Sequence, residues 1–201
     1  MSSKDSKELT FDEEKHEYRL NGRILPSVTQ ILREIGFVDD TYFTEDSAAR
    51  GIAVHKATEL YDLGTLDEDS LDPRLVDYLE GWKRFRNETG FFPTSIEGRG
   101  WSKFGYVGTF DRVGVTDNGS IVLLDIKSSM YVPDWIGLQL GGYIQIITEK
   151  GMIYKPFIPY EEIWSVHLSS GGLFKIERWD DRRNDFLAIA RTYQLKQEIK
   201  Q

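Results

Sequence analysis

Hydrophobic positions alternate with a period of two in some stretches of the chain and recur every three to four residues in others. Residues 107–115 and 121–126 are rich in β-branched and aromatic side chains, which is typical of β-strands. The segment between them, Asp117-Asn118-Gly119, is a strong turn signal because glycine accepts the left-handed conformation. The pattern therefore predicts a hairpin of two strands.

The same patterns predict the remaining elements. Helices are expected over residues 26–36, 47–63, 72–90, 133–151 and 181–200, and strands over residues 11–19, 23–25, 94–98, 101–104, 152–158, 163–168 and 174–179. Ser27 and Gln30 have the spacing of a capping box, and Gly36 is a helix stop signal. We expect an α+β fold in which one domain covers residues 1–201, with residues 1–45 forming a hairpin and helix extension.

Composition narrows the classes of protein. The 201 residues include 40% hydrophobic and 29% charged positions, which is an ordinary globular balance. The absence of cysteine excludes disulfides, thiolate zinc sites and cysteine-bound iron–sulfur clusters. The hydrophobic segments are too short or too polar to span a bilayer, so we expect a soluble, cytoplasmic or otherwise intracellular protein without membrane contact.

The formal net charge of −8 argues against a protein that coats DNA over a broad surface, because polyanions usually meet basic surfaces. A narrow cleft with local positive charge and a bound metal ion remains compatible with this charge.

The predicted hairpin brings two carboxylates together. If residues 117–119 form the loop, Asp111 lies opposite Asp125, and such neighbours have Cβ atoms about 4.5–5.5 Å apart. Alternation along the second strand places Asp125 and Lys127 on one face and Ile126 on the other. Facing carboxylates repel each other, and a hard cation such as Mg²⁺, which prefers oxygen ligands, would offset that repulsion.

Two further pairs have helical spacing. His55 and Glu59 lie four residues apart in the second predicted helix, and Gln139 and Tyr143 have the same spacing in the helix after the hairpin. Each motif alone is more often a solvated surface or a core face than a functional site. Their joint order along the chain is much more specific than any one of them.

That order resembles the PD-(D/E)XK nuclease superfamily, and above all its RecB-type exonucleases, which include CRISPR-adaptation nucleases and the mitochondrial genome maintenance exonuclease. The matching segments are Arg50-Gly51-Ile52-Ala53-Val54-His55, Gly108-Thr109-Phe110-Asp111, Leu124-Asp125-Ile126-Lys127 and Gln139-Leu140-Gly141-Gly142-Tyr143. They span about residues 47–147, and residues 20–29 are also similar to the start of phage-encoded members. Phe110 stands where the name-giving motif has proline.

The resemblance implies a restriction-endonuclease-like mixed sheet flanked by helices, and a metal-dependent DNA exonuclease acting on single-stranded or free ends. It implies that Asp111, Asp125, the Ile126 carbonyl and His55 bind one or two Mg²⁺ or Mn²⁺ ions. Lys127 would orient or help to deprotonate the attacking water. Gln139 and Tyr143 would hold the substrate strand. The iron–sulfur subgroup is excluded because its cysteines are absent.

Other positions are weaker candidates. Glu59 is a further candidate metal ligand, and the candidate substrate contacts are Arg50, Lys103, Arg112 and Trp135. A structure-specific endonuclease or junction resolvase on the same fold, and a non-catalytic nucleic-acid-binding module, are the competing hypotheses. The expected partner is DNA, with recombination or replication proteins beside it, in recombination, repair or phage DNA processing.

Overall fold

The computed structural model describes residues 8–12, 15–39, 44–150 and 162–200. In these residues the strands are β1 (Leu9–Asp12), β2 (Glu17–Leu20), β3 (Arg23–Leu25), β4 (Phe92–Ser102), β5 (Tyr106–Val115), β6 (Ile121–Lys127), β7 (Glu162–Leu168) and β8 (Phe174–Arg178). The helices are α1 (Val28–Ile35), α2 (Glu45–Asp62), α3 (Val76–Thr89), α4 (Trp135–Lys150) and α5 (Arg183–Ile199), with short 3₁₀ turns at Glu68–Ser70 and Pro73–Leu75.

The central sheet has five strands in the order β4-β5-β6-β7-β8. Strands β6 and β7 run parallel, and the other neighbours are antiparallel. The connection between the two parallel strands contains α4, as a parallel crossover requires. The predicted α+β class with a central mixed sheet is confirmed.

Helices cover both faces of this sheet. One core joins α1, α4 and α5 to Leu123 of β6, and the other joins α2 and α3 to Leu124 and Ile126 of the same strand. Consecutive residues thus enter opposite cores, as strand alternation dictates. Among the described residues, no helix is both long and apolar enough to cross a membrane.

The β5–β6 hairpin has the predicted register. Arg112 pairs with Leu124, and the pairing continues to the turn, where the Thr116 N–H donates to the Ser120 carbonyl at 3.1 Å. Gly119 has φ = 86°, the left-handed conformation that the turn needs. The positions next to the Arg112–Leu124 pair are Asp111 and Asp125, so the hairpin brings these two carboxylates side by side.

A small sheet, β1-β2-β3, packs beside β5. The Val107 N–H donates to the Pro26 carbonyl at 3.0 Å, and the hydroxyls of Tyr18 and Thr109 lie 2.7 Å apart. The capping box predicted for α1 is present, because Ser27 and Gln30 bond reciprocally, and Gly36 ends the helix at φ = 92°.

Two strand predictions are wrong. Residues 11–19 do not form one strand, because a turn at His16, with φ = 52°, separates β1 from β2. Residues 94–98 and 101–102 belong to the single strand β4, and residues 103–104 lie in the turn that follows it. Gly98 is required in β4 because the Phe110 ring occupies the space of a side chain. The strand predicted over residues 152–158 lies outside the described residues.

Candidate active site

Three carboxylates lie side by side on three neighbouring strands. Glu97 of β4 stands between the Ile96–Arg112 and Gly98–Phe110 pairs, so its counterpart on β5 is Asp111. Asp125 of β6 is the neighbour of Asp111 on the other side. His55 of α2 approaches the same point, and ligand atoms of His55, Glu97 and Asp111 all lie within 4.8 Å of one another. We call these four residues the acid cluster.

Asp111 is held in its charged form. Its Oδ2 accepts a hydrogen bond from the Ile126 N–H at 2.6 Å and lies 3.4 Å from Nδ1 of His55. Burial acts to raise its pKa, but the charge and hydrogen bond of His55 outweigh burial and lower the pKa to about 2. The pKa of His55 is raised, because the attraction of Asp111 exceeds the opposing effect of burial.

The charged form of Asp125 is stabilised less than that of Asp111. Only 2% of this residue is exposed, and Nζ of Lys127 forms an ion pair with its Oδ2 at 2.6 Å. Among the described residues, this oxygen has no partner besides Lys127. Burial raises the pKa of Asp125 to about 6, Asp111 acts in the same direction, and Lys127 opposes both. Burying a carboxylate is costly even beside one ammonium group, and a bound cation would offset part of that cost.

Glu97 was missed by the sequence analysis. Its Oε1 accepts a hydrogen bond from Nη1 of Arg112 at 2.9 Å, and its backbone has φ = 48°, a strained value for a residue with a side chain. Burial and then the charge of Asp111 raise the pKa of Glu97 to about 7. The one signal in the sequence was Gly98, because glycine inside a strand often marks a close approach.

Lys127 connects the acid cluster to α4. Its Nζ donates to Oε1 of Gln139 at 3.1 Å and lies 5.4 Å from the ring centre of Trp135. The Gln139 amide donates in turn to the Tyr143 hydroxyl at 2.9 Å and to Oγ1 of Thr29 at 3.2 Å. Gln139 and Tyr143 therefore lie at the site, and both are buried. Gln139 binds Lys127 directly, and Tyr143 accepts a hydrogen bond from Gln139.

A cavity of about 170 Å³ opens beside the cluster. Its walls come from β2 and the turn before it, the start of α1, β5 and α4, and include Glu97 and Asp111. The remaining lining residues are His16, Tyr18, Ser27, Val28, Thr29, Gly108, Thr109 and Tyr143. Two carboxylates of the cluster can thus meet a ligand that enters this cavity.

Other predicted site residues lie elsewhere. Glu59 is not in the cluster, because its Oε2 accepts from Nζ of Lys56 at 2.9 Å on α2. Lys103 lies in the β4–β5 turn, far from the acid cluster. The part of β5 from Tyr106 to Asp111 alone separates the two by about 16 Å.

The two arginines differ. The prediction that Arg112 contacts substrate is wrong, because this residue is fully buried and bound to Asp62 at 2.7 Å. Arg50 lies on α2, five residues before His55, and its buried Nε has no hydrogen-bond partner in the described chain.

The donor set fits a hard divalent cation. Carboxylate oxygens suit Mg²⁺ and Mn²⁺, and imidazole is compatible with the softer of these ions. The Ile126 N–H bond to Asp111 brings the Ile126 peptide to the acids, and the carboxylate of Asp125, which is buried beside Asp111 and Lys127, supplies a further oxygen. The cluster can therefore hold a cation at the mouth of the cavity, beside the ammonium group of Lys127.

Comparison with protein-family models gives no match, and comparison with curated protein sequences gives none either. Among solved structures, a proposed exonuclease from Eubacterium rectale matches with a TM-score of 0.50 and 12% identity, over 87% of this chain and 74% of its own. An alkaline exonuclease from Laribacter hongkongensis matches with a TM-score of 0.44 and 10% identity, over 87% and 88% of the two chains. The five-stranded mixed sheet with its flanking helices is thus a restriction-endonuclease-like fold, as the sequence predicted.

Proposed function

We propose that this protein is a metal-dependent DNA exonuclease of the PD-(D/E)XK superfamily, within its RecB-type branch. The observation that carries the proposal is Asp125, a buried carboxylate set between ionised Asp111 and Lys127, whose pKa burial and the charge of Asp111 raise to about 6. A buried carboxylate beside a second one, with a raised pKa, suits a cation ligand. The E. rectale protein of similar fold is itself a proposed exonuclease.

Each residue has a role in this proposal. Asp111, Asp125, the Ile126 carbonyl, His55 and Glu97 would hold Mg²⁺ or Mn²⁺. When bound, the cation would offset negative charge on the phosphodiester and lower the pKa of a coordinated water. Lys127, positioned by Asp125 and Gln139, orients the attacking water and donates to a phosphate oxygen. This assignment needs no covalent intermediate.

The substrate is a DNA end. The cavity beside the acids is walled by the small N-terminal sheet and the start of α1, which favours entry of a strand end over the middle of a closed duplex. Arg50, on the helix that carries His55, is the proposed positive group for a phosphate, which matters in a chain with a net charge of −8. Trp135 offers a ring for an unpaired base.

The test compares end-labelled linear DNA with a closed circle of the same sequence, in Mg²⁺ and in Mn²⁺, with EDTA as the blank. We expect metal-dependent loss of the linear DNA and survival of the circle. Equal degradation of both would favour the endonuclease alternative. Binding without cleavage in either metal would favour the non-catalytic module. Glu59→Gln serves as the matched control, because it removes a carboxylate of α2 outside the cluster.

A further inference from the structure

A row of buried polar side chains on β7 lies beside β6, the strand that carries Asp125 and Lys127. In the parallel β6–β7 ladder, Ser165 pairs with Asp125 and His167 pairs with Lys127. Paired residues of neighbouring strands share a face, and both Ser165 and His167 are fully buried. The acid cluster does not include either residue, and the mechanism proposed above does not use them.

The chemistry of the donors and acceptors fixes the direction of two hydrogen bonds in this row of side chains. Nε1 of Trp179 can only donate, and it lies 2.9 Å from Oγ of Ser165. A backbone carbonyl can only accept, so the 2.7 Å contact between Nδ1 of His167 and the Ser129 carbonyl requires a proton on Nδ1. In a neutral ring, Nε2 of His167, 2.9 Å from Oγ of Ser165, accepts from the serine hydroxyl. The neutral imidazole is therefore the Nδ1–H tautomer.

The Ser129 carbonyl lies two residues beyond Lys127, just after β6 ends. A bond at this point holds the segment that leaves the strand. Lys127 itself must reach Asp125 at 2.6 Å and Gln139 at 3.1 Å at the same time. A shift of the strand end would disturb both contacts together.

From this arrangement we propose that His167 is the positioning residue of Lys127 and acts through the Ser129 carbonyl. The proposal rests on the nuclease function proposed above. The neutral form suits the role, because a charged imidazole would add a second cation beside Lys127. Lys175 and Glu177, on the adjacent strand β8, are the other charged groups near this ring. Burial lowers the pKa of His167, in agreement with the neutral tautomer.

Two isosteric substitutions separate the two bonds of the ring. His167→Asn keeps an amide N–H near Nδ1 and hence the Ser129 bond, whereas His167→Gln keeps a polar group near Nε2 and loses that bond. We expect His167→Gln to lower kcat about tenfold to a hundredfold, with KM for DNA and the affinity for Mn²⁺ unchanged. We expect His167→Asn to restore most of kcat. Lys175→Gln, on the strand position that pairs with His167, is the control and should leave kcat unchanged.

Equal losses in the Asn and Gln variants would overturn the proposal, and so would a loss confined to KM or to Mn²⁺ affinity. Imidazole ¹⁵N NMR shifts of the metal-free protein should report the Nδ1–H tautomer, and an Nε2–H or charged ring would contradict it. If the wild type cleaves no DNA, the nuclease function fails separately. Crystal structures of the two variants then decide, because Lys127 should move away from Gln139 in His167→Gln and stay in His167→Asn.

Discussion

Two polar clusters lie on either side of one peptide bond in β5, the bond between Asp111 and Arg112. The cluster around Arg112, which we call the arginine cluster, is centred on the fully buried carboxylate of Asp62. That carboxylate accepts hydrogen bonds from Nε of Arg112 at 2.7 Å, Nη1 of Arg86 at 2.8 Å and Nε1 of Trp82 at 3.0 Å. Both oxygens of this carboxylate are thus hydrogen-bonded, and two guanidinium groups offset its charge.

The acid cluster instead crowds like charges together. It holds three carboxylates and one histidine, and the pKa is about 2 for Asp111 but about 6 for Asp125 and about 7 for Glu97. Burial is the main cause of the two raised values, and the negative charge of Asp111 adds to it. A satisfied buried network supports a fold, whereas buried like charges with shifted pKa values are typical of a ligand-binding or catalytic site. The following predictions test this difference.

The largest expected effect is that of Asp125→Asn. Removing this carboxylate removes a cation ligand, and we expect cleavage to fall by about a thousandfold or more. The metal-free protein should be at least as stable as the wild type at neutral pH, because burial raises the pKa of Asp125 to about 6 and so disfavours its charged form even beside Lys127. Single-turnover cleavage and urea unfolding in EDTA measure the two quantities. Retained activity, or a large loss of stability, would place Asp125 with the arginine cluster instead.

Arg112→Met should have its largest effect on stability, in contrast to Asp125→Asn, which should mainly affect cleavage. It leaves the Asp62 carboxylate buried with fewer partners, which typically costs about 3–5 kcal/mol of stability. It also removes the hydrogen bond that positions the Glu97 carboxylate, so the surviving folded protein should bind Mn²⁺ less tightly. Urea unfolding checks the first effect and calorimetric Mn²⁺ titration the second. An unchanged unfolding free energy would show that the arginine cluster does not support the fold.

Glu97→Gln tests whether the residue that sequence reasoning missed belongs to the acid cluster. We expect the affinity for Mn²⁺ to fall about tenfold to a hundredfold, since one oxygen donor loses its charge. Glu59→Gln is the matched control and should leave the affinity unchanged, because Lys56 binds that carboxylate away from the cluster. If Glu59 rather than Glu97 governs the affinity, the assignment from geometry is wrong.

The smallest effect is a pH dependence of stability in EDTA. Folded Asp125 and Glu97 retain protons up to about pH 6 and about pH 7, whereas their ordinary pKa values are 3.8 and 4.5. The folded state therefore binds more protons in this window, and stability should fall as the pH rises from about 4 to about 7.

The other two members of the cluster do not cancel this trend. The raised pKa of His55 acts in the same direction, and the lowered pKa of Asp111 removes stability only towards pH 2. Unfolding at about pH 5 and about pH 7.5 measures the trend. Saturating Mn²⁺ should reverse it, since the cation competes with those protons. A flat profile in EDTA would mean that the acids are not in conflict.

The sequence predicted those parts of the site whose contacts join residues close together along the chain. Asp111, Asp125 and Lys127 were placed correctly because a short turn with Gly119 sets the hairpin register. Glu97 was not found, because its position depends on the pairing of β4 with β5 and on an unusual φ beside Gly98. Arg112 was misassigned, because the sequence does not reveal which charges become buried.

The amino-acid sequence was thus sufficient for the α+β class, most elements and the pairing of the two hairpin carboxylates, since these depend on periodicity and local turns. Packing of α2 against the sheet brought His55 to Asp111, and α4 brought Gln139 to Lys127. Burial and the neighbouring charges then made the two clusters differ, because they raise the pKa values of Asp125 and Glu97 in the acid cluster. Charge balance and desolvation depend on all neighbours in space, so they follow from the tertiary structure and not from spacing along the chain.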